Sequence, residues 1–407
     1  MSKPIPGELY TITKADLVGS QSEVLNRIAQ TAFGEGERSA DIEKANQIKN
    51  IGVGTVLKLP PSFFSDDQPT IEVNTPGLVL LIGGIEVPTE SIRFFQSDET
   101  MVDAWSAVIE WLPGVNAELD EFIAPYSFAI SHIYLDGELL STGRLYVVSP
   151  SIAGRSSLTL EFYSFSVDVL DSALAPPYEE NNVTLKQRAQ TVLKPFSLSV
   201  SVDLDEDGVF DRVTAQDSQT AGDHLMDLAR QRGALVSSTP KGGLKITVPK
   251  SSGESVADIT EGFPGFSGFA SSFDARERFS DYRIIGESPS DNALSSVVQD
   301  EEIPVPRFKT IKVKDTSEGG LDRAARWEKI RYLSKSLAVP ITAQGFKTVN
   351  GLRWQKGQFV TLTSPTLFIN EGRLMRVRAV EFLNDSSGEV TTLSLVPAQI
   401  YETGEFL

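Results

Sequence analysis

The chain of 407 residues contains no cysteine. That excludes disulfides, thiolate catalysis and cysteine-ligated zinc together. Histidine is nearly absent too, with two residues in the whole sequence. His132 sits in a strand-like pattern beside Ile133 and Tyr134, and His224 falls in a helical stretch next to Asp223. Neither has a metal-ligand spacing such as H-E-x-x-H, and no segment resembles a nucleophile elbow, so both read as ordinary core or surface residues. Long apolar runs are also missing. The most apolar stretch, Gly77 to Val87, is far shorter than the roughly 20 residues that span a bilayer. The opening Met-Ser-Lys-Pro-Ile-Pro-Gly lacks the apolar core of a signal peptide, which predicts synthesis and assembly in a cytoplasm without membrane insertion. Basic residues are in deficit, 37 against 55 acidic, for a net charge of −18. Duplex nucleic acid is held by clustered Lys and Arg, so specific nucleic-acid binding is not expected.

What is present is the composition of a soluble globular protein, long enough for two to four domains. In the first 60 or so residues, Tyr10-Thr11-Ile12 reads as a short strand. Leu25, Ile28 and Ala29 recur at helical spacing before Gly34, a second short helix carries Ile42 and Ala45, and Thr55 to Leu59 closes with a strand. Phe63 to Thr70 reads as a linker. Residues 71–168 are predicted to be strands around one helix near Thr100 to Leu112, with Val102, Trp105, Ile109 and Leu112 as its apolar face. Ser127 to Val148 predicts a hairpin turned at Asp136-Gly137, and residues 156–170 another long strand. After Pro176-Pro177 a mixed unit follows. Thr184 with Gln187 forms a capping box ahead of Leu185, Ala189, Val192 and Leu193, a second helix runs through Ala221, Leu225, Leu228 and Ala229 to Gly233, and Leu244 to Val248 is a strand. Ser251 to Ser272 reads as a loose Gly/Ser stretch. A charged helix then spans about Leu321 to Leu337, and a terminal hairpin pairs Leu374–Phe382 with Val390–Val396 around Asp385-Ser-Ser-Gly388.

Three groups of residues could carry chemistry. Glu110, Asp120 and Glu121 are candidate carboxylates for glycoside hydrolysis, but 55 acidic residues make chance pairs unavoidable. Asp203-Leu-Asp205-Glu-Asp207-Gly208-Val-Phe-Asp211 is the sharper motif. Asp203, Asp205, Asp207 and Asp211 stand at positions 1, 3, 5 and 9 of a calcium-type loop with glycine at 6, so alternate oxygens can converge on one hard cation. Thr214 replaces the usual glutamate at position 12. The competing reading is an Asp-Gly hairpin between Leu198–Val202 and Val209–Val213. The third group is basic: Arg323, Arg326, Lys329, Arg331 and Lys335, preceded by Lys309, Lys312 and Lys314, with Trp327 and Tyr332 among them. Ala324, Ala325, Ile330, Leu333 and Leu337 give the same helix a buried stripe, so a solvated face or a subunit interface is favoured over nucleic acid.

Three segments carry a family resemblance. They are GRLYVVSPSIAGRSSLTLEFYSFSVDVLDSALA (143–175), NVTLKQRAQTVLKPFSLSVSVD (182–203), and Arg323 to Pro397 with RAARWEKIRYLSKS, Gly351-Leu352-Arg353-Trp354 and the closing strand pair. Together they resemble the baseplate hub family of Mu-like contractile-tail phages. YTI, IAQTAFG, ADIEKAN and IGVGTVLKLP resemble a LysM domain, apart from a long insert after Tyr10. The resemblance implies a mainly β fold with an α+β insertion: a βααβ LysM-like module (1–62), a linker (63–70), tube-like β-barrel 1 (71–175), an α/β side domain (176–255) and tube-like β-barrel 2 (256–407). It also implies a structural virion protein with no active site, made in the host cytoplasm and located in the tail baseplate. Three subunits would close a pseudo-sixfold ring adapting the hexameric tail tube to the trimeric spike. Tape-measure protein and genome would pass through its acidic channel. Other baseplate (wedge) proteins would be neighbours, with the LysM-like module as a clip upon one of them. The alternative is a peptidoglycan-binding protein or cell-wall hydrolase targeted by that module.

Overall fold

The computed structural model describes residues 9–12, 17, 20–33, 42, 55–58, 73, 75–153, 155–204, 207–215, 218–286, 294–313 and 318–403. At the N-terminus β1 (Leu9–Thr11) pairs antiparallel with β2 (Val56–Lys58), and α1 (Gln21–Phe33) lies between them in sequence. A capping box starts α1: Glu23 accepts from the Ser20 backbone N–H at 2.7 Å, and the Glu23 N–H donates to the Ser20 hydroxyl at 3.4 Å. Tyr10, Ile12, Leu25, Ile28, Ile42 and Leu57 form a separate small core. The predicted second helix beyond Ile42 and the linker lie outside the described residues.

The next stretch contains β3 (Leu78–Ile82), β4 (Ile85–Val87), β5 (Ser91–Ser97), β6 (Ala104–Glu110), the short α2 (Ala117–Phe122), β7 (Ile130–Leu135), β8 (Glu138–Ala153), β9 (Arg155–Ser164) and α3 (Ser166–Asp171). The helix predicted at Thr100 to Leu112 is in fact strand β6. Val102, Trp105, Ile109 and Leu112 fit a helical period, but Trp105, Ala107 and Ile109 also alternate. Partners on both edges, β5 and β9, decide for the strand. Leu112, assigned to the helix's apolar face, is 58% exposed. The long strand expected over 156–170 ends at Ser164, where α3 begins. The Asp136-Gly137 hairpin forms as predicted, both residues at positive φ (50° and 81°), which matches the twist of β7 and β8.

The inserted unit comprises β10 (Glu179–Val183), α4 (Leu185–Leu193), β11 (Val200–Asp203), β12 (Phe210–Thr214), α5 (Ala221–Gln231), β13 (Leu235–Ser238) and β14 (Leu244–Thr247). The Thr184–Gln187 capping box is present at α4. Leu185, Ala189, Leu193, Leu225, Leu228 and Ile246 belong to the core of this unit. The hairpin reading of 198–213 fails. β11 pairs in parallel with β14, while β12 pairs antiparallel with β10, so the two strands never meet.

The remainder contains β15 (Ser255–Thr260), β16 (Phe266–Ser267), β17 (Ser272–Phe273), β18 (Asp281–Gly286), β19 (Ser295–Gln299), β20 (Phe308–Val313), α6 (Glu318–Ser336), β21 (Leu337–Gln344), β22 (Phe359–Ser364), β23 (Ile369–Asp385), β24 (Gly388–Pro397) and α7 (Ile400–Thr403). The stretch read as loose therefore includes β15, which buries Ala257 and Ile259 against β22. Strands β18 to β20 form their own sheet, covered by α6 through Leu321, Ala324 and Ala325.

Among the described residues, one continuous sheet of fourteen strands dominates. Seven come from β3 to β9, and seven from β15 to β17 with β21 to β24. The halves join where β23 pairs with β5, from Ala379↔Ser97 to Asn384↔Ile92. One core underlies both halves, and Phe94 and Phe382 stack across the join with ring centroids 6.3 Å apart. The fold is mainly β, with an α/β unit inserted between two curled halves.

Candidate functional site

Several of the residues singled out for chemistry have structural partners. His224 is buried in α5, where its Nε2 accepts from Arg188 Nε at 3.0 Å and its Nδ1 faces the Gln219 carbonyl at 3.2 Å. That pairing fixes a neutral ring with the proton on Nδ1. Arg188, itself fully buried, also donates to Glu180 and to the Pro177 carbonyl, both at 2.9 Å. The cluster ties α4, α5 and β10 together. His132 lies on β7, and burial holds its imidazole down at about 4, so it is neutral at physiological pH. The two histidines belong to different structural units.

The glycosidase carboxylates do not converge on a cleft. Asp120 organises the loop after β6, accepting from the Trp111 indole at 2.7 Å and from the Gly114 N–H at 2.6 Å. Glu121 is exposed on α2, and Glu110 is exposed at the end of β6.

In the Asp-rich loop, both oxygens of Asp207 serve helix α4. They accept from the backbone N–H groups of Leu185 at 2.9 Å and Lys186 at 3.0 Å, the first-turn donors that a helix leaves without partners. Asp203 is solvent-facing, 4.0 Å from Lys245. Asp211 stands exposed on β12, and Asp205 lies outside the described residues. Among the described residues, no group of three or more His, Cys, Asp or Glu could hold a metal ion.

On the basic helix Arg323, Arg326 and Lys335 are exposed, whereas Lys329 is turned inward. Lys329 is buried 3.8 Å from Asp300, which also pairs with Arg278 at 2.7 Å. Arg331 pairs with Glu328 at 2.5 Å and Arg326 with Asp322 at 2.9 Å. Trp327 is only 6% exposed, so it offers no stacking platform to a base. Lys314 lies outside the described residues.

Sequence reading missed the polar joint between the two β halves. The turn from β5 to β6 carries Asp98, Glu99 and Asp103 into the second half. There Asp98 pairs with Arg376, Glu99 lies 3.7 Å from Arg378, and Asp103 lies 3.4 Å from Lys356. Burial pushes the Asp103 carboxyl up, opposed by Lys356 and the Ser141 hydroxyl. A second joint links the β7–β8 turn to the segment before β22, through Lys347–Asp136 at 2.6 Å and Arg353–Glu138 at 3.0 Å. The acidic turn and the Arg376-x-Arg378 pair are visible in sequence. Their partnership spans more than 270 residues and has no local signal.

The charged joints and the shared core hold the two β halves together. Residues 166–248 match the family described as "Baseplate hub protein gp44-like, second domain". The baseplate hub protein gp44 of Escherichia phage Mu is 24% identical over 286 residues, covering 65% of this chain and 74% of that protein. The 43 kDa tail protein of prophage MuSo2 from Shewanella oneidensis superposes with a TM-score of 0.67 at 26% identity, over 80% of this chain and 99% of that one. A tail protein from Neisseria meningitidis MC58 shares the fold, with a TM-score of 0.69 at 18% identity over 80% and 97% of the two chains. The protein is a structural component of a phage tail baseplate, not an enzyme, and over residues 166–248 it is similar to the gp44-like hub proteins.

Proposed function

We propose that three copies of the chain close a pseudo-sixfold ring that adapts a hexameric tail tube to a trimeric central spike. The observation that carries this reading is the equal contribution of the two β halves, seven strands each, to one sheet joined in register by β5 and β23. A subunit with two comparable curved faces meets a sixfold partner twice, and three such subunits complete the circle through a repeated heterologous contact. The buried joints at Asp98–Arg376 and Asp103–Lys356 suit this role, because they hold the two faces at a fixed angle. The acid excess suits a channel passing tape-measure protein and genome without retaining them.

The N-terminal residues, with a core of their own, form a LysM-like module that clips a neighbouring baseplate (wedge) protein. Peptidoglycan binding by this module is the competing outcome. Mass photometry of the chain mixed with its spike tests the ring, and three subunits per complex are expected. A pulldown on purified peptidoglycan, with and without residues 1–62, tests the clip. Wall binding that vanishes on deletion would replace the clip with a glycan-binding role.

A further inference from the structure

Two clefts meet between the inserted α/β unit and helix α6. Trp327, Ile330 and Tyr401 line both, making one groove with a shared floor. Met226, Leu235 and Val236 from the inserted unit form an apolar wall on one side. Two donors of the floor have no partner: Trp327 Nε1, on a side chain 6% exposed, and the Tyr401 hydroxyl. Burial pushes the Tyr401 phenol far up, so its proton stays on.

The charge of the lining opposes that of the chain as a whole. Six cationic side chains line the groove, Arg230, Arg232, Arg323, Arg326, Arg331 and Lys335, in a protein of net charge −18. Its two carboxylates are already engaged. Glu99 accepts from the Ser334 hydroxyl, and Glu402 accepts from Ser251 at 3.3 Å. The carboxylates that pair with Arg230, Arg326 and Arg331 (Asp227, Asp322 and Glu328) are not among the residues facing it.

We propose that this groove docks an extended segment of another protein that combines apolar side chains with Asp or Glu. The apolar side chains pack along the wall of Met226, Leu235 and Val236 above Trp327 and Ile330, and the acidic residues meet the cationic rim. This is how an apolar groove with a charged rim gains both affinity and orientation.

The test uses the full chain carrying 5-fluorotryptophan, whose four tryptophans give four fluorine resonances, with Trp327 assigned by Trp327→Phe. The probe is the capped peptide Glu-Asp-Leu-Phe-Asp-Glu. Its control is Lys-Lys-Leu-Phe-Lys-Lys. The acidic peptide is expected to shift the Trp327 resonance saturably and leave the other three in place. Arg323→Glu with Lys335→Glu, one exposed cation from each cleft, should weaken binding about tenfold at low salt, the scale of two lost ion pairs. The proposal is overturned by no Trp327 shift, by equal shifts of all four resonances, by equal binding of the lysine peptide, or by undiminished binding to a folded double variant.

Discussion

Truncating Phe382 to alanine tests whether the two β halves behave as one body. Phe382 is fully buried on β23 and lies opposite Phe94 of β5 in the pairing register. Its ring stacks on Phe94 at 6.3 Å and meets Phe346 edge-on at 5.3 Å, so it contacts both halves. Removing a buried phenylalanine ring costs about 3–5 kcal/mol in transfer and cavity terms. The aromatic pair contributes about 0.5–1.5 kcal/mol beyond its area. The cycle Phe94→Ala, Phe382→Ala and the double variant, measured by urea denaturation, should therefore show a coupling of that size. At about 2–4 °C per kcal/mol, Phe382→Ala should lower the melting temperature by about 6–20 °C. Tryptophan fluorescence reports on both halves, through Trp105 in the first and Trp354 in the second, and one shared transition should shift as a whole. Two transitions, of which only the later-sequence half moves, would refute the single-core reasoning, as would a loss below about 1 kcal/mol.

Other expected outcomes are smaller in scope. Asp207→Ala, measured in EDTA, should cost about 1 kcal/mol in urea titrations, because the lost interaction is a helix cap and needs no metal. His132 has a folded value of about 4, below its ordinary 6.5, so the stability it confers is present above about pH 6.5 and is lost as pH falls towards 4. His132→Gln should therefore flatten the acid limb, removing about 2 kcal/mol of the loss between pH 7 and pH 5 in paired denaturation curves. Gly143→Ala places a Cβ 2.0 Å from the Tyr163 carbonyl oxygen on the paired strand. Backbone cannot yield as a side chain can, so a cost of about 3 kcal/mol or more, or insoluble expression, is expected. Gly262→Ala, with no atom within 4 Å of its added Cβ, bears only its backbone strain and should remain soluble.

The parts of the fold legible in the sequence were those with local causes. The Thr184–Gln187 box, the Asp136-Gly137 turn, the α5 stripe and the terminal hairpin each declare themselves within a few residues. The β6 region misled because Val102, Trp105, Ile109 and Leu112 satisfy a helical period while the alternation that governs burial is equally present. Only pairing with β5 and β9 separates the two readings. The Asp-rich loop misled differently. Its Asp-Gly signal suggested a hairpin, yet β11 and β12 go to different sheets, and Asp207 is claimed by the start of α4. The family resemblance pointed to the hub class, and the comparisons bear that out. What stayed hidden was the joint, since the whole inserted unit lies between Asp98 and Arg376 in sequence and no local signal pairs them.

The most direct test of the central claim is a cryo electron microscopy map of the purified chain bound to its encoded spike. The account expects a threefold ring with two comparable β faces per subunit, arranged in pseudo-sixfold symmetry around an open pore. Monomers that remain single in the presence of the spike, or a ring in which each subunit turns only one β face towards the tube, would contradict it.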